Sequence, residues 1–246
     1  MPTLLFKEVG LVKGVGFDSW RRVGSAMQAV KVYNMREVDE LIYLDITATV
    51  DKHPPDFKSV DELADECFMP LTVGGGVRTV EDVRRLLQVG ADKVAVNTAA
   101  VESPAVIREM AQRFGSQCVV LSIDARRHAD GSYEVYTHAG TVATGKDPVG
   151  LAQEMEALGA GEILLTSIER DGAMAGYDVE LTRRVCEAVS VPVIASGGAG
   201  TYANMAVVLR EGKASAVAAS SIFHFTEQTP LEAKRYLREQ GFRVRL

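Results

Sequence analysis

A parallel α/β barrel of eight βα units, (β/α)8, is the fold this sequence predicts. Three observations carry that expectation: short apolar runs alternate with helical patterns, eight such runs fit within 246 residues, and segments recur at a fixed spacing. Near-continuous apolar strands belong to parallel sheets covered by helices, and about 250 residues is the usual length of eight βα units. An open doubly wound sheet is the alternative arrangement of the same elements.

Taken in order, the first strand is TLLF (3–6) and the second is LIYLDI (41–46). SVDELADECF follows, with apolar residues recurring at three and four. PLTV (70–73) is the third strand and leads into TVEDVRRLLQVG, opened by Thr79 and closed by Gly90. KVAV (93–96) is the fourth, before the helical PAVIREMAQRFG. CVVLSID (118–124) is the fifth, before PVGLAQEMEALGAG, and EILLTS (162–167) the sixth, before DVELTRRVCEAVS. PVIAS (192–196) and SAVAAS (215–220) complete the eight.

The recurrence joins the two halves. PLTVGGGVRT at Pro70 returns as PVIASGGAGT at Pro192, 122 positions on, and ELIYLDIT at Glu40 returns as EILLTSIE at Glu162. The same offset carries KVAVNTAA at Lys93 onto SAVAASSI at Ser215. A single barrel domain over 1–246, built from half-barrels of about 1–115 and 116–246, accommodates such a duplication by symmetry.

Composition narrows the function. With 47% hydrophobic and 24% charged residues and a formal charge of -6, the chain reads as a folded domain with a large core and no general affinity for nucleic acid. Cys67, Cys118 and Cys186 are far apart and form no cluster with histidine, so neither a disulfide framework nor a metal site is expected. No apolar stretch approaches the roughly 20 residues that cross a bilayer, and the expected location is the cytoplasm.

The loops after the repeated strands suggest a ligand. Gly74, Gly75 and Gly76 follow the third strand, and Asn97 and Thr98 end the fourth; Gly197, Gly198, Ser220 and Ser221 hold the corresponding places in the second half. Glycines there let the backbone approach an anion, and small hydroxyl and amide side chains complete a phosphate cradle. Tight βα turns also need glycine for steric reasons alone. Two clusters with the same companions favour a ligand carrying two phosphates, one at each side of the mouth.

The motifs LDITAT, PLTVGGGVR, GADKVAVNTAAVE, FGSQCVV, SIDARR, YTHAG, GAGEILLTSIERDG, GYDVELTR, PVIASGGAG and SIFHF, with the basic end YLREQGFRVRL, resemble the cyclase subunit of imidazole glycerol phosphate synthase, the HisF family, from about residue 12 to 246. The resemblance implies a step of histidine biosynthesis. A glutaminase docked at the N-terminal face supplies ammonia, and a bis-phosphorylated aminoimidazole ribonucleotide is split into imidazole glycerol phosphate and an aminoimidazole carboxamide ribotide. No cofactor or metal is implied. Asp124 matches a catalytic aspartate, suited to moving protons as the ring closes; read without the resemblance, it caps a helix or tethers Arg126 or Arg127. Asp171 matches a supporting acid, Gly172 a phosphate contact, and Lys13 a lysine that holds substrate, or a solvated loop charge. Glu40, Lys93 and Glu162 match a charged ring gating the ammonia entrance, although charges at strand starts are commonly just solvated. The ring's arginine has no counterpart in the segment that Met1 begins.

One departure stands out. The family's other catalytic aspartate ends the first strand, where alignment back from Lys13 puts Leu5, or Phe6 if the loop is one residue shorter. Glu8 is the nearest acid. Three functions fit this pattern: a working cyclase with Glu8 as its second acid; a paralogue that passes ammonia to a sugar amidotransferase in surface-polysaccharide synthesis; and a non-catalytic phosphate-binding barrel.

Overall fold

The computed structural model describes residues 1–8 and 10–246. Eight parallel strands lie in the order of the chain: Thr3–Lys7, Leu41–Asp45, Leu71–Gly74, Lys93–Val96, Val119–Arg127, Glu162–Ser167, Val193–Ser196 and Ala216–Val217. The first meets the last through a parallel bridge between Pro2 and Ala219, where the Thr3 N–H donates to the Ala219 carbonyl at 2.9 Å and the Ala219 N–H to that of Met1 at 3.0 Å. That bridge closes the barrel and excludes an open doubly wound sheet.

Alternation along each strand divides the core in two. Side chains such as Leu4, Leu41, Tyr43, Val73, Leu121 and Leu165 pack outward against the helices. A smaller inner layer is made by Ile42, Ala95, Val120, Leu164, Ile194 and Ala218, with Leu44, Met1 and Ala216 beside it. This inner layer separates the two ends of the barrel.

The internal repeat is visible at single-residue resolution. Helices Phe57–Ala64 and Val179–Cys186 are 122 positions apart and are capped by Asp56 and Asp178, whose carboxylates accept from the N–H groups of Ser59 and Leu181. Helices Val80–Gln88 and Tyr202–Arg210 share the offset, and each opens with a reciprocal capping box, Thr79 with Asp82 and Thr201 with Asn204. The last strand departs from it. Thr72 pairs with Lys93 and Val73 with Val94, whereas Ile194 pairs with Ala216 and Ala195 with Val217, so here the offset is 123 and Lys93 corresponds to Ala216, not Ser215. The extra residue is Lys213, held in the left-handed region at φ 59° just before the strand. The shift makes Asn97 equivalent to Ser220 and Thr98 to Ser221.

Three further corrections concern the mouth. The fifth strand runs three residues past Asp124, to Arg127, because Asp124–Arg127 pairs antiparallel with Tyr133–Tyr136 in an added hairpin. Lys13 lies on a strand, Gly10–Val15, not in a loop; that strand pairs with the first barrel strand and with Asp18–Gly24, Lys13 standing opposite Arg21. Likewise Asn97 and Ser220 do not end strands but stand at the N-caps of the short helices Thr98–Glu102 and Ser221–Phe225.

Candidate functional site

At the C-terminal ends of the strands one cavity is lined by Lys13, Asp124 and Asp171 together with Gly75, Gly76, Asn97, Thr98, Gly172, Gly197, Gly198, Ser220 and Ser221. These candidates from both halves of the sequence therefore border the same space, and Glu8 does not. Lys13 is almost wholly buried, and its ammonium donates to Asp171 Oδ2 at 2.5 Å. It is not the solvated charge that its place in the sequence also allowed. The contact joins the hairpin after the first strand to the loop after the sixth, where the Gly16 N–H also donates to the Asp171 carbonyl at 2.8 Å. Gly172 is required by this closeness: its φ is 75°, and a Cβ there would stand 2.0 Å from the Gly14 carbonyl oxygen.

Asp124 lies in the cavity wall. Asn97 Nδ2 donates to its Oδ2 at 3.2 Å and also to the Ser122 carbonyl at 3.0 Å. Burial, and then the negative charge of Asp171, push the Asp124 carboxyl up to about 7. A carboxyl group so placed can both give and take a proton near neutrality.

The two expected cradles differ in how far their own groups are satisfied. In the first half Asn97 is turned to Asp124, and the Thr98 hydroxyl donates to Asn97 Oδ1 and accepts from the His138 N–H, both at 3.2 Å. In the second half the Ser220 and Ser221 hydroxyls are buried and have no hydrogen-bond partner among the described residues. Buried hydroxyls without partners are costly, and a phosphate oxygen at the mouth would satisfy them. Gly198, at φ 111°, lets the loop pass so close that a Cβ would lie 2.2 Å from the Gly176 carbonyl oxygen.

The first strand answers which residue faces the mouth. Leu5 lines the cavity and pairs with Leu44, whereas the Phe6 ring lies 5.8 Å from that of Tyr43 in the outer layer. Leu5 is thus the inward residue. Glu8 is exposed at the turn of the hairpin, with φ 56°, and does not line the cavity. A different carboxylate does: Asp45, at the end of the second strand, which was not singled out from the sequence. Its Oδ1 accepts from the Thr47 N–H at 2.9 Å, the Thr47 hydroxyl at 2.8 Å and the Ala48 N–H at 3.1 Å. The Asp-x-Thr spacing in LDITAT is the signal that finds such a turn.

At the opposite end Lys93 Nζ bridges Glu40 Oε2 at 2.8 Å and Glu162 Oε2 at 2.9 Å, all three being largely buried. Burial alone would lower the ammonium of Lys93; the hydrogen bonds and charges of both glutamates outweigh it and raise it. The three charges form a linked unit across the second, fourth and sixth strands, beneath the apolar inner layer. Among the described residues no group of His, Cys, Asp and Glu is arranged to hold a metal ion. No helix among them is long and apolar enough to cross a membrane.

A family model described as histidine biosynthesis protein matches residues 4–229.

Proposed function

The chain belongs to the histidine biosynthesis protein family, and we propose that it is an ammonia-handling barrel of the cyclase (HisF) type. A glutaminase docks over Glu40, Lys93 and Glu162, ammonia crosses the apolar interior as the neutral molecule, and a ligand with two phosphates occupies the mouth. The observation that carries this reading is the bridge of Lys93 to both glutamates at one end of the barrel, with Asp124 at the other. A barrel that only isomerised its substrate would admit no second nitrogen source and would have no use for a charged gate at that end.

At the mouth the geometry favours delivery of ammonia over ring closure. Leu5 fills the inward position at which the resemblance implies an acid, Glu8 stands outside, Asp171 is bonded to Lys13, and one oxygen of Asp45 is taken up by its own turn. Asp124 is left to do the work of two acids. The nitrogen then passes to a third enzyme, an amidotransferase acting on a sugar in surface-polysaccharide synthesis.

A second reading, a working cyclase that forms imidazole glycerol phosphate and an aminoimidazole carboxamide ribotide, is favoured by the Asp124 carboxyl at about 7, where one group can serve as acid and base in turn. The experiment common to both is to mix the purified protein with each glutaminase of its source organism. One of them should bind, and Lys93→Ala should uncouple its glutamine hydrolysis from ammonia use. If none binds, the ammonia-handling reading falls.

A further inference from the structure

We propose that the seam where the barrel closes holds a second binding site, for a small molecule with an aliphatic body and one carboxylate. The site is separate from the mouth and does not depend on the two-phosphate reading.

The last strand, Ala216–Val217, is the shortest of the eight, and it meets the first through the Pro2–Ala219 bridge. At the N-terminal end of this seam lies a cavity of about 410 Å³, bounded by the strand starts and by the helices Tyr202–Arg210 and Pro230–Glu239. Among the described residues only Ala219 borders both this cavity and the mouth. Its walls are largely apolar: Met205 and Leu209 line it from one helix, Ala233 and Leu237 from the other, and Phe242 and Val244 from the tail that follows. Leu209, Val217, Phe223, Phe242 and Val244 are left half-buried there, so an apolar occupant would remove further surface from water. A concave, mostly apolar space of several hundred Å³ with few polar groups is the ordinary form of a small-molecule site.

The charges at its edge set the sign of the ligand. Both acids that line the cavity are already neutralised. Lys234 Nζ donates to Asp39 Oδ1 at 3.1 Å and to the Glu37 carbonyl at 2.8 Å, which ties the last helix to the segment before the second strand, and Glu40 is bonded to Lys93. Lys234 is only 7% exposed and uses two of its three N–H donors in these contacts. Arg243 and Arg245 also line the cavity, are exposed, and have no partner among the described residues. The uncompensated charge is therefore positive and sits at one edge of an apolar space. A carboxylate accepts paired bonds from a guanidinium, and an aliphatic chain behind it fills the rest.

The intact protein is titrated by calorimetry with decanoate, decanol and decylamine, each below the concentration at which it forms micelles, with saturating inorganic phosphate present to occupy the mouth. Decanoate should bind once per chain and roughly 10-fold more tightly than decanol, about what a charge-assisted hydrogen bond at an exposed edge supports. Decylamine should bind least. Replacing both arginines, Arg243→Gln with Arg245→Gln, should bring decanoate down to the affinity of decanol, and neither position is buried, so the fold is kept. Leu209→Trp, which fills part of the cavity, should weaken decanoate and decanol alike. In the wild type the only tryptophan is Trp20, which lines the mouth, and its emission should not change when decanoate binds. No binding of decanoate, equal affinities for the three probes, an affinity that survives the loss of both arginines, or quenching of Trp20 would each overturn the proposal. So would a dimer in sedimentation that the double arginine variant dissolves, because the seam would then be covered by a second copy of the chain.

Discussion

Lys13 Nζ and Asp171 Oδ2, 158 positions apart in the chain, meet at 2.5 Å and brace the hairpin that overhangs the mouth. Removing one partner of a buried pair leaves the other charged and unpaired, which typically costs ~3–5 kcal/mol. Lys13→Met and Asp171→Asn should each lower the unfolding free energy measured in urea by that order. The double variant should fall well short of the sum, and additive losses would mean that the two groups do not interact.

Asp124 supplies a pH test. Its folded value of about 7 lies above that of an ordinary carboxyl, so its contribution to stability is complete in acid and is lost as pH rises through 7. The shift is worth about 1.4 kcal/mol per unit before water in the mouth screens it. Asp124→Asn, neutral at every pH, should therefore be more stable than the wild type at pH 9, by on the order of 2 kcal/mol, and lose that advantage near pH 4. Carboxyl carbon NMR should place the midpoint near 7 and lower in Asp171→Asn, which removes a neighbouring negative charge. A midpoint near 4 in the wild type would contradict the burial of this group.

The unpartnered hydroxyls predict opposite signs for stability and binding. Ser221→Ala removes a buried polar group with no partner among the described residues, so the free protein should be unchanged or more stable, by up to ~1–3 kcal/mol. Its affinity for phosphate should fall. Crystals soaked at limiting phosphate should fill the site near Gly198 and Ser221 before the one near Gly76 and Asn97, whose side chains are already engaged. Filling in the reverse order would show that the glycine turns, not the hydroxyls, set the affinity.

For the proposed gate, Lys93→Ala leaves Glu40 and Glu162 facing each other without a cation. Phosphate binding at the far end should not change, whereas ammonia derived from glutamine should escape to solvent, measured by trapping it outside the complex. A leak no greater than that of the wild type would remove Lys93 from the gate.

The sequence made the eight strands and the half-barrel repeat legible because apolar runs and capping residues are local signals, and Thr79 and Thr201 still mark their helices 122 positions apart. The slip at Lys213 is legible only one residue on from the offset of the other segments, where Val94 and Ala95 meet Val217 and Ala218, and strand pairing adopts that register. The hairpin Gly10–Val15 with Asp18–Gly24 was missed because its second strand is mostly polar and exposed, without the alternation of a half-buried strand. Asp124, Asp171 and Lys13 could be found through their motifs, but nothing local told that Lys13 is buried: its partner is remote in the chain. The choice between Leu5 and Phe6 rested likewise on the pleat, which places Leu5 inward beside Leu44 and turns Phe6 toward Tyr43.

The most direct measurement is the turnover of the bis-phosphorylated aminoimidazole ribonucleotide by the purified protein with ammonium in place of a glutaminase, in the wild type and in Leu5→Asp. A missing general acid or base typically costs about 100- to 10,000-fold. With Leu5 at the inward position, the wild type should be slower than a two-aspartate cyclase by at least that range while still binding the ligand, and Leu5→Asp should raise the rate through a pathway that Asp124→Asn abolishes. A wild-type rate equal to that of a two-aspartate cyclase would contradict the account, because ring closure would then need no acid on the first strand.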